Sequence, residues 1–122
     1  MAKVIGLGGI FFKSKDPAAL AAWYARHLGL ELEAWGGARF DEDASRPGYL
    51  AWAPFPDDTR YFAPSEQPYM LNFRVDDLAG LLEQLRTDGV EVDERTEQNE
   101  YGAFGWVMDP EGTRVELWQP PA

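Results

Sequence analysis

From residue 69 to residue 119 the chain alternates apolar and polar positions in short runs, broken once by a helical stripe. Leu71, Phe73 and Val75 alternate with Met70, Asn72 and Arg74, which predicts a strand over 69–75 with two distinct faces. Asp76 and Asp77 then cap a helix that carries Leu78, Leu81, Leu82 and Leu85 on one stripe and ends at Gly89. Val90 and Val92 alternate with Glu91 and Asp93, and a polar stretch leads to Asn99. Residues 101–118 read as a complete hairpin. The 103–108 run is apolar and strand-forming, Asp109, Pro110, Glu111 and Gly112 supply turn chemistry, and 113–118 alternates again.

The first half repeats this order. Residues 4–13 predict a strand that Gly8 and Gly9 weaken or bend. Asp16 caps a helix with Pro17 at its first position and Leu20, Trp23, Tyr24 and Leu28 at helical spacing, closed by Gly29. Leu30, Leu32 and Ala34 alternate with Glu31 and Glu33 as a half-exposed strand, and 35–47 is a long irregular connection. Residues 49–55 and 59–63 predict a first hairpin, with 64–68 as the linker between halves.

That first hairpin looks like a degraded copy of the second. Gly48, Trp52, Pro56, Thr59 and Arg60 match Gly102, Trp106, Pro110, Thr113 and Arg114 at a constant offset of 54. Ile10, Phe12, Lys13, Asp16 and Leu20 match Leu71, Phe73, Arg74, Asp77 and Leu81 at an offset of 61, and 29–33 matches 89–93 at 60. Internal duplication accounts for all three sets. Each half then reads strand, helix, strand, strand, strand, within one domain of two half-repeats, about 4–63 and 69–119.

Alternation also sorts the strand residues by face. Ile10, Phe12, Leu71, Phe73, Val75, Val115 and Leu117 would pack on the helices. Gly9, Phe11, Lys13, Met70, Asn72, Arg74, Arg114, Glu116 and Trp118 fall on the other face, which two curled sheets would wrap around a shared cleft. A cleft of apolar rings with a few convergent polar groups is the ordinary form of a small-molecule site.

Composition narrows the function classes. The 122 residues suffice for one core and not for two ordinary domains. With 21 acidic against 11 basic residues the formal net charge is −10, so nucleic acid and anionic membranes are not expected partners. Cysteine is absent, which removes disulfides, thiolate nucleophiles and Cys-ligated metals. Residues 1–9 hold no apolar run long enough for a signal sequence or a membrane span, so a soluble cytoplasmic protein is expected. No Ser, His and Asp constellation, phosphate-cradling glycine loop or basic aromatic stripe is present.

The duplicated βαβββ unit, the segments KSKDPAALAAWYARHLGL and FRVDDLAGLLEQLRTDGVEV, and the terminal DPEGTRVELWQP together resemble the vicinal oxygen chelate superfamily. That superfamily includes glyoxalase I, bleomycin-resistance proteins and extradiol dioxygenases. The resemblance implies an α+β fold of two tandem βαβββ modules forming curled mixed sheets around a shared cleft. It also implies assembly as a homodimer.

In metal-using members, four positions across the two halves hold a divalent cation, and here the resemblance places them at Gly9, Phe62, Met70 and Glu116. Glycine and phenylalanine offer no side-chain donor and a thioether suits these metals poorly, so Glu116 is the one usable ligand. His27, in the last turn of the first helix, reads as a helix-end residue rather than a rescuing ligand.

Glu116 is therefore expected to serve as a hydrogen-bond acceptor in the cleft, or as an acid–base group if aromatic walls raise its pKa. Phe11, Phe62, Met70, Asn72, Arg74, Tyr101, Arg114 and Trp118 complete the expected wall. Arg60 and Arg114 could clamp an anion, although pairing with acids at their own hairpin turns is the plainer expectation. Trp52 and Trp106 are expected in the core.

The first expectation for function is a small-molecule binder that uses no cofactor and no catalytic metal. The second is a lyase, isomerase or dioxygenase-type enzyme working through Glu116, with Zn, Ni, Mn or Fe or as a metal-free acid–base catalyst. The third is an interaction module whose cleft its own side chains fill.

Overall fold

The computed structural model describes residues 2–122. Its elements run α1 (Pro17–Leu28), β1 (Leu71–Arg74), α2 (Leu78–Thr87), β2 (Glu97–Asn99), β3 (Gly102–Met108) and β4 (Arg114–Gln119). The four strands form one mixed sheet in the order β1-β4-β3-β2, in which β1 runs parallel to β4 and the other neighbours are antiparallel. This is an α+β architecture with both helices on one face.

Both helices begin as their sequences predict. The Asp16 carboxylate accepts from the Ala19 N–H at 3.1 Å, and the Asp77 carboxylate from the Gly80 N–H at 3.1 Å. Gly29, at φ 74°, turns the chain out of α1 in the left-handed region that glycine enters without a Cβ penalty. The core joins Leu20 and Tyr24 of α1, Leu78, Leu82 and Leu85 of α2, and Leu71, Val107, Val115 and Leu117 of the sheet. No helix among the described residues is long and apolar enough to cross a membrane.

The hairpin turn between β3 and β4 is also the anchor of α1. The Asp109 Oδ1 accepts the backbone N–H groups of Glu111 and Thr113 at 2.8 and 2.9 Å, while its Oδ2 accepts the Tyr24 hydroxyl at 2.7 Å. Two residues on, the Glu111 carboxylate accepts from the Ser14 hydroxyl at 2.7 Å and the Lys15 N–H at 3.1 Å. These bonds hold the Glu111 carboxyl below its usual range. One turn thus fixes both the start and the middle of α1.

The first half departs from its expected strands. Residues 4–13 form none, and Ile5 and Phe11 are 95% and 90% exposed. Ile10 and Phe12, expected against the helices, are exposed as well. Residues 30–34 contribute a lone bridge, Leu32 to Ala38, and 49–63 has turns but no ladder. For 49–63 the reason lies in the turn. At the offset of 54, Phe55 stands for Asp109 and Asp58 for Gly112. A phenyl ring cannot accept the two turn N–H groups, and Gly112 sits at φ 80°, which an aspartate adopts only with strain. The copy kept the tryptophan and lost the residues that close the hairpin.

In the second half, 90–93 supplies a single bridge from Val92 to Val107 rather than a strand. The polar 97–99 stretch, expected as a connection, is instead the edge strand β2.

Candidate functional site

Parity along β1, β3 and β4 decides what faces away from the helices. Asn72, Glu116 and Trp106 are direct neighbours across three strands, and so are Arg74, Trp118 and Phe104. Over this face arch the irregular segments of the first half, and the space between is a broad, half-open cleft.

Glu116 is buried in the cleft wall, 7% exposed, and three donors converge on it. Asn72 Nδ2 reaches its Oε1 at 2.7 Å, while Trp106 Nε1 and the Tyr61 hydroxyl reach Oε2 at 2.9 and 2.5 Å. An indole N–H and an amide NH₂ can only donate, so the carboxylate is a fixed acceptor. Of about four lone-pair positions on a carboxylate, three are taken, and the one left lies on Oε1. The Tyr61 hydroxyl is pushed well above the usual tyrosine range by burial and by its bond to Glu116. Tyr61 also meets the Trp106 ring edge-on at 6.2 Å and stacks on Phe55 at 5.7 Å.

Of the residues expected in the wall, Phe11, Phe62, Met70, Asn72 and Arg74 all line the cleft. So do Tyr101, Glu116 and Trp118, together with Gly9. Arg114 does not. Its guanidinium is buried at the far side of Trp106, where Nη2 lies 3.2 Å from Asp93 Oδ2 and the group stands 5.1 Å from the indole centroid. Asp93 is held below the usual carboxylate range, first by the Arg95 N–H and then by Arg114. Arg114 therefore has an acidic partner, but one from across the sheet and not from its own turn. Arg60 lines the cleft without Arg114, so these two repeat-related arginines do not face a ligand from two sides.

The two tryptophans part company. Trp106 is 1% exposed, yet its N–H belongs to the Glu116 cluster. Trp52, expected in the core, is 79% exposed on the cleft rim. His27 sits at the end of α1 with Nδ1 3.6 Å from Asp88 Oδ2, remote from this cluster in the sequence and absent from the cleft wall.

Tyr61 and Trp106 are the participants the sequence pattern missed. Trp106 was within reach, because a turn at 109–112 pairs 108 with 114 and hence 106 with 116. Tyr61 was not, because strand parity assigned the adjacent Phe62 to a segment that forms no strand.

The donors at the four family positions do not make a ligand set. Gly9, Phe62 and Met70 present no oxygen or nitrogen side-chain donor, and the oxygens of Glu116 are largely engaged. Among the described residues no three His, Cys, Asp or Glu side chains come together in a metal-sized cluster.

The family model of the glyoxalase-like domain matches residues 9–118. The chain belongs to the glyoxalase-like domain family. The fold has a solved counterpart in TnmS3, an antibiotic binding protein from Streptomyces sp. CB03234, with a TM-score of 0.54 and 24% identity over 88% of each chain. No curated protein matches the sequence. Family and fold agree with the vicinal oxygen chelate superfamily that the hairpin motif suggested.

Proposed function

We propose that this glyoxalase-like protein binds a small organic molecule in the cleft, without a catalytic metal, and that Glu116 is the group that orients it. The observation that carries this reading is the triple anchoring of one buried carboxylate by Asn72, Trp106 and Tyr61 in an aromatic wall. A carboxylate held by three donors is preorganised to accept one more, from a donor group on a ligand. Phe11, Phe62, Met70 and Trp118 supply apolar contact around it, and the fold counterpart's antibiotic binding is in keeping with this use of the cleft.

The test is a thermal-shift screen with aromatic and amphipathic molecules bearing a hydrogen-bond donor, run beside metal analysis of protein purified without chelator. A ligand at a hundred times its Kd contributes about 2.7 kcal/mol and raises Tm on the order of 10 °C. Stoichiometric Zn, Ni, Mn or Fe in the purified protein would overturn the metal-free reading in favour of a metalloenzyme.

A homodimer belongs to the same proposal. Val4, Ile5, Trp35 and Trp52 expose large apolar groups on the first half, an amount of bare surface that a second copy would cover. Sedimentation should give twice the chain mass at micromolar concentration, and a monomer there would count against it.

A further inference from the structure

The floor of the cleft carries a cation that the chain leaves without a partner. Arg74 lies two residues beyond Asn72 on the same face of β1, so the ladder that sets Asn72 beside Glu116 sets Arg74 beside Trp118. The residue is exposed and lines the cleft. Arg39, Arg95 and Arg114 each have a carboxylate oxygen, at 2.9, 3.3 and 3.2 Å. Among the described residues Arg74 has no ion pair and no side-chain hydrogen bond, although the chain offers 21 acidic residues and Asp76 lines the same cleft. A guanidinium with five open donors in so acidic a chain is a seat for a carboxylate from outside.

The stem of that side chain is held. Its root is fixed by the ladder, and Gly48, at φ 108°, passes directly against it. A Cβ at residue 48 would lie 2.5 Å from the Arg74 Cδ and 3.2 Å from Nη1, so the glycine is what leaves the arginine its place. Arg46 and Arg60 also line the cleft, but they come from irregular segments with no strand beneath them.

Glu116 and Arg74 are therefore two poles of one floor, offset by two residues along paired parallel strands, about 6.6 Å. One only accepts and the other only donates. They do not neutralise each other, because the Glu116 oxygens are bound by Asn72, Trp106 and Tyr61. A plain anion on Arg74 meets the Glu116 charge, and a plain cation on Glu116 meets that of Arg74. A molecule with an acid at one end and a neutral N–H or O–H at the other suits both, in a single orientation. A planar carboxylate matches the guanidinium fork, and it carries less charge than a phosphate into a chain of net charge −10. Tyr49 and Trp52, 58% and 79% exposed along the same cleft, favour an aromatic body between the two ends.

We propose that Arg74 and Glu116 together select an aromatic carboxylic acid bearing a hydrogen-bond donor, with its carboxylate on Arg74 and its donor on Glu116. This rests on the reading of Glu116 given above and adds the charge and the direction of the ligand.

The probes are indole-3-carboxylate, indole-3-acetate and indole-3-propanoate, three reaches of one N–H donor and one acid, each titrated by calorimetry beside its neutral methyl ester. At least one acid should bind, and its ester should bind about 10- to 150-fold more weakly. Arg74→Gln keeps the stem as far as Cδ and lies at an exposed position, so it is expected to fold. It should bring the acid down to the level of the ester and leave the ester unchanged. Arg74→Lys, a point charge without the fork, should recover part of the difference. Arg46→Gln should leave the preference for the acid intact. Glu116→Gln touches the donor end and should weaken the ester as well as the acid. Equal affinity for acid and ester, both weakened by Glu116→Gln, would overturn the role of Arg74 and leave that of Glu116 standing. Loss of the preference in Arg60→Gln in place of Arg74→Gln, or no binding of any acid at millimolar concentration, would also overturn the proposal.

Discussion

Asp109→Ala should unfold at a much lower urea concentration than the native chain, with a stability loss of about 3–5 kcal/mol. The substitution removes an acceptor with three donors: the Tyr24 hydroxyl and the N–H groups of Glu111 and Thr113. Thr113 and Tyr24 are both buried, so neither group recovers a water in exchange. Bonds to a charged acceptor contribute about 1.5–3 kcal/mol each, and the three act as a unit, so the total falls short of their sum. Tyr24→Phe keeps the ring and loses one bond, and should cost about 1–2 kcal/mol. Urea titration followed by circular dichroism gives both values. A loss below about 1 kcal/mol for Asp109→Ala would mean that the turn does not anchor α1.

The two ends of this clip respond to opposite extremes of pH. The Glu111 carboxyl is depressed, so its contribution is complete above the ordinary glutamate value of about 4.3 and fades as pH falls through the lowered one. The Tyr24 hydroxyl is raised by burial and by Asp109, so its contribution is complete below about 10 and is lost only as pH rises through the raised value.

Glu116→Leu should be the most damaging change to the proposed site, and Glu116→Gln separates its two consequences. Leucine leaves the Trp106 N–H buried with no acceptor, at a cost of about 1–3 kcal/mol, whereas Asn72 and Tyr61 are exposed enough to turn to water. Glutamine restores an acceptor for Trp106 and should cost under about 1 kcal/mol. Both remove the charge. Once the thermal-shift screen has supplied a donor-bearing ligand, calorimetry should show its affinity falling about 10- to 150-fold in Glu116→Gln. Unchanged affinity in a folded Glu116→Gln protein would remove Glu116 from ligand recognition.

The second half of the fold was readable from the residues because one strong local signal set everything around it. Asp109 and Gly112 close a turn that admits a single register, so the faces of β3 and β4 follow, and the alternation at 71–74 places β1 beside them. The core assignments of Leu71, Val115 and Leu117 and the outward assignments of Asn72, Glu116 and Trp118 all rest on that. β2 escaped notice for the opposite reason. Glu97, Gln98 and Asn99 are exposed on an edge, bury nothing, and so carry no apolar period.

The first half misled because identity at Trp52, Thr59 and Arg60 is not identity at the positions that do the folding. With Phe55 and Asp58 where Asp109 and Gly112 stand, parity has no strand to act on, and Trp52 ends exposed. The same failure exchanged Phe62 for Tyr61 beside Glu116. Arg114 was misplaced along its strand and not across it: its face was right, but Trp106 separates it from the cleft.

β4, the last strand to be made, lies inside the sheet, between β1 and β3. Without residues 109–119, then, α1 lacks its hydrogen-bonded anchors at 109 and 111, and β1 has no neighbour that joins it to β3. Joining β1 to the β3–β4 hairpin therefore waits on residues 114–119, a pairing of long sequence separation that forms slowly.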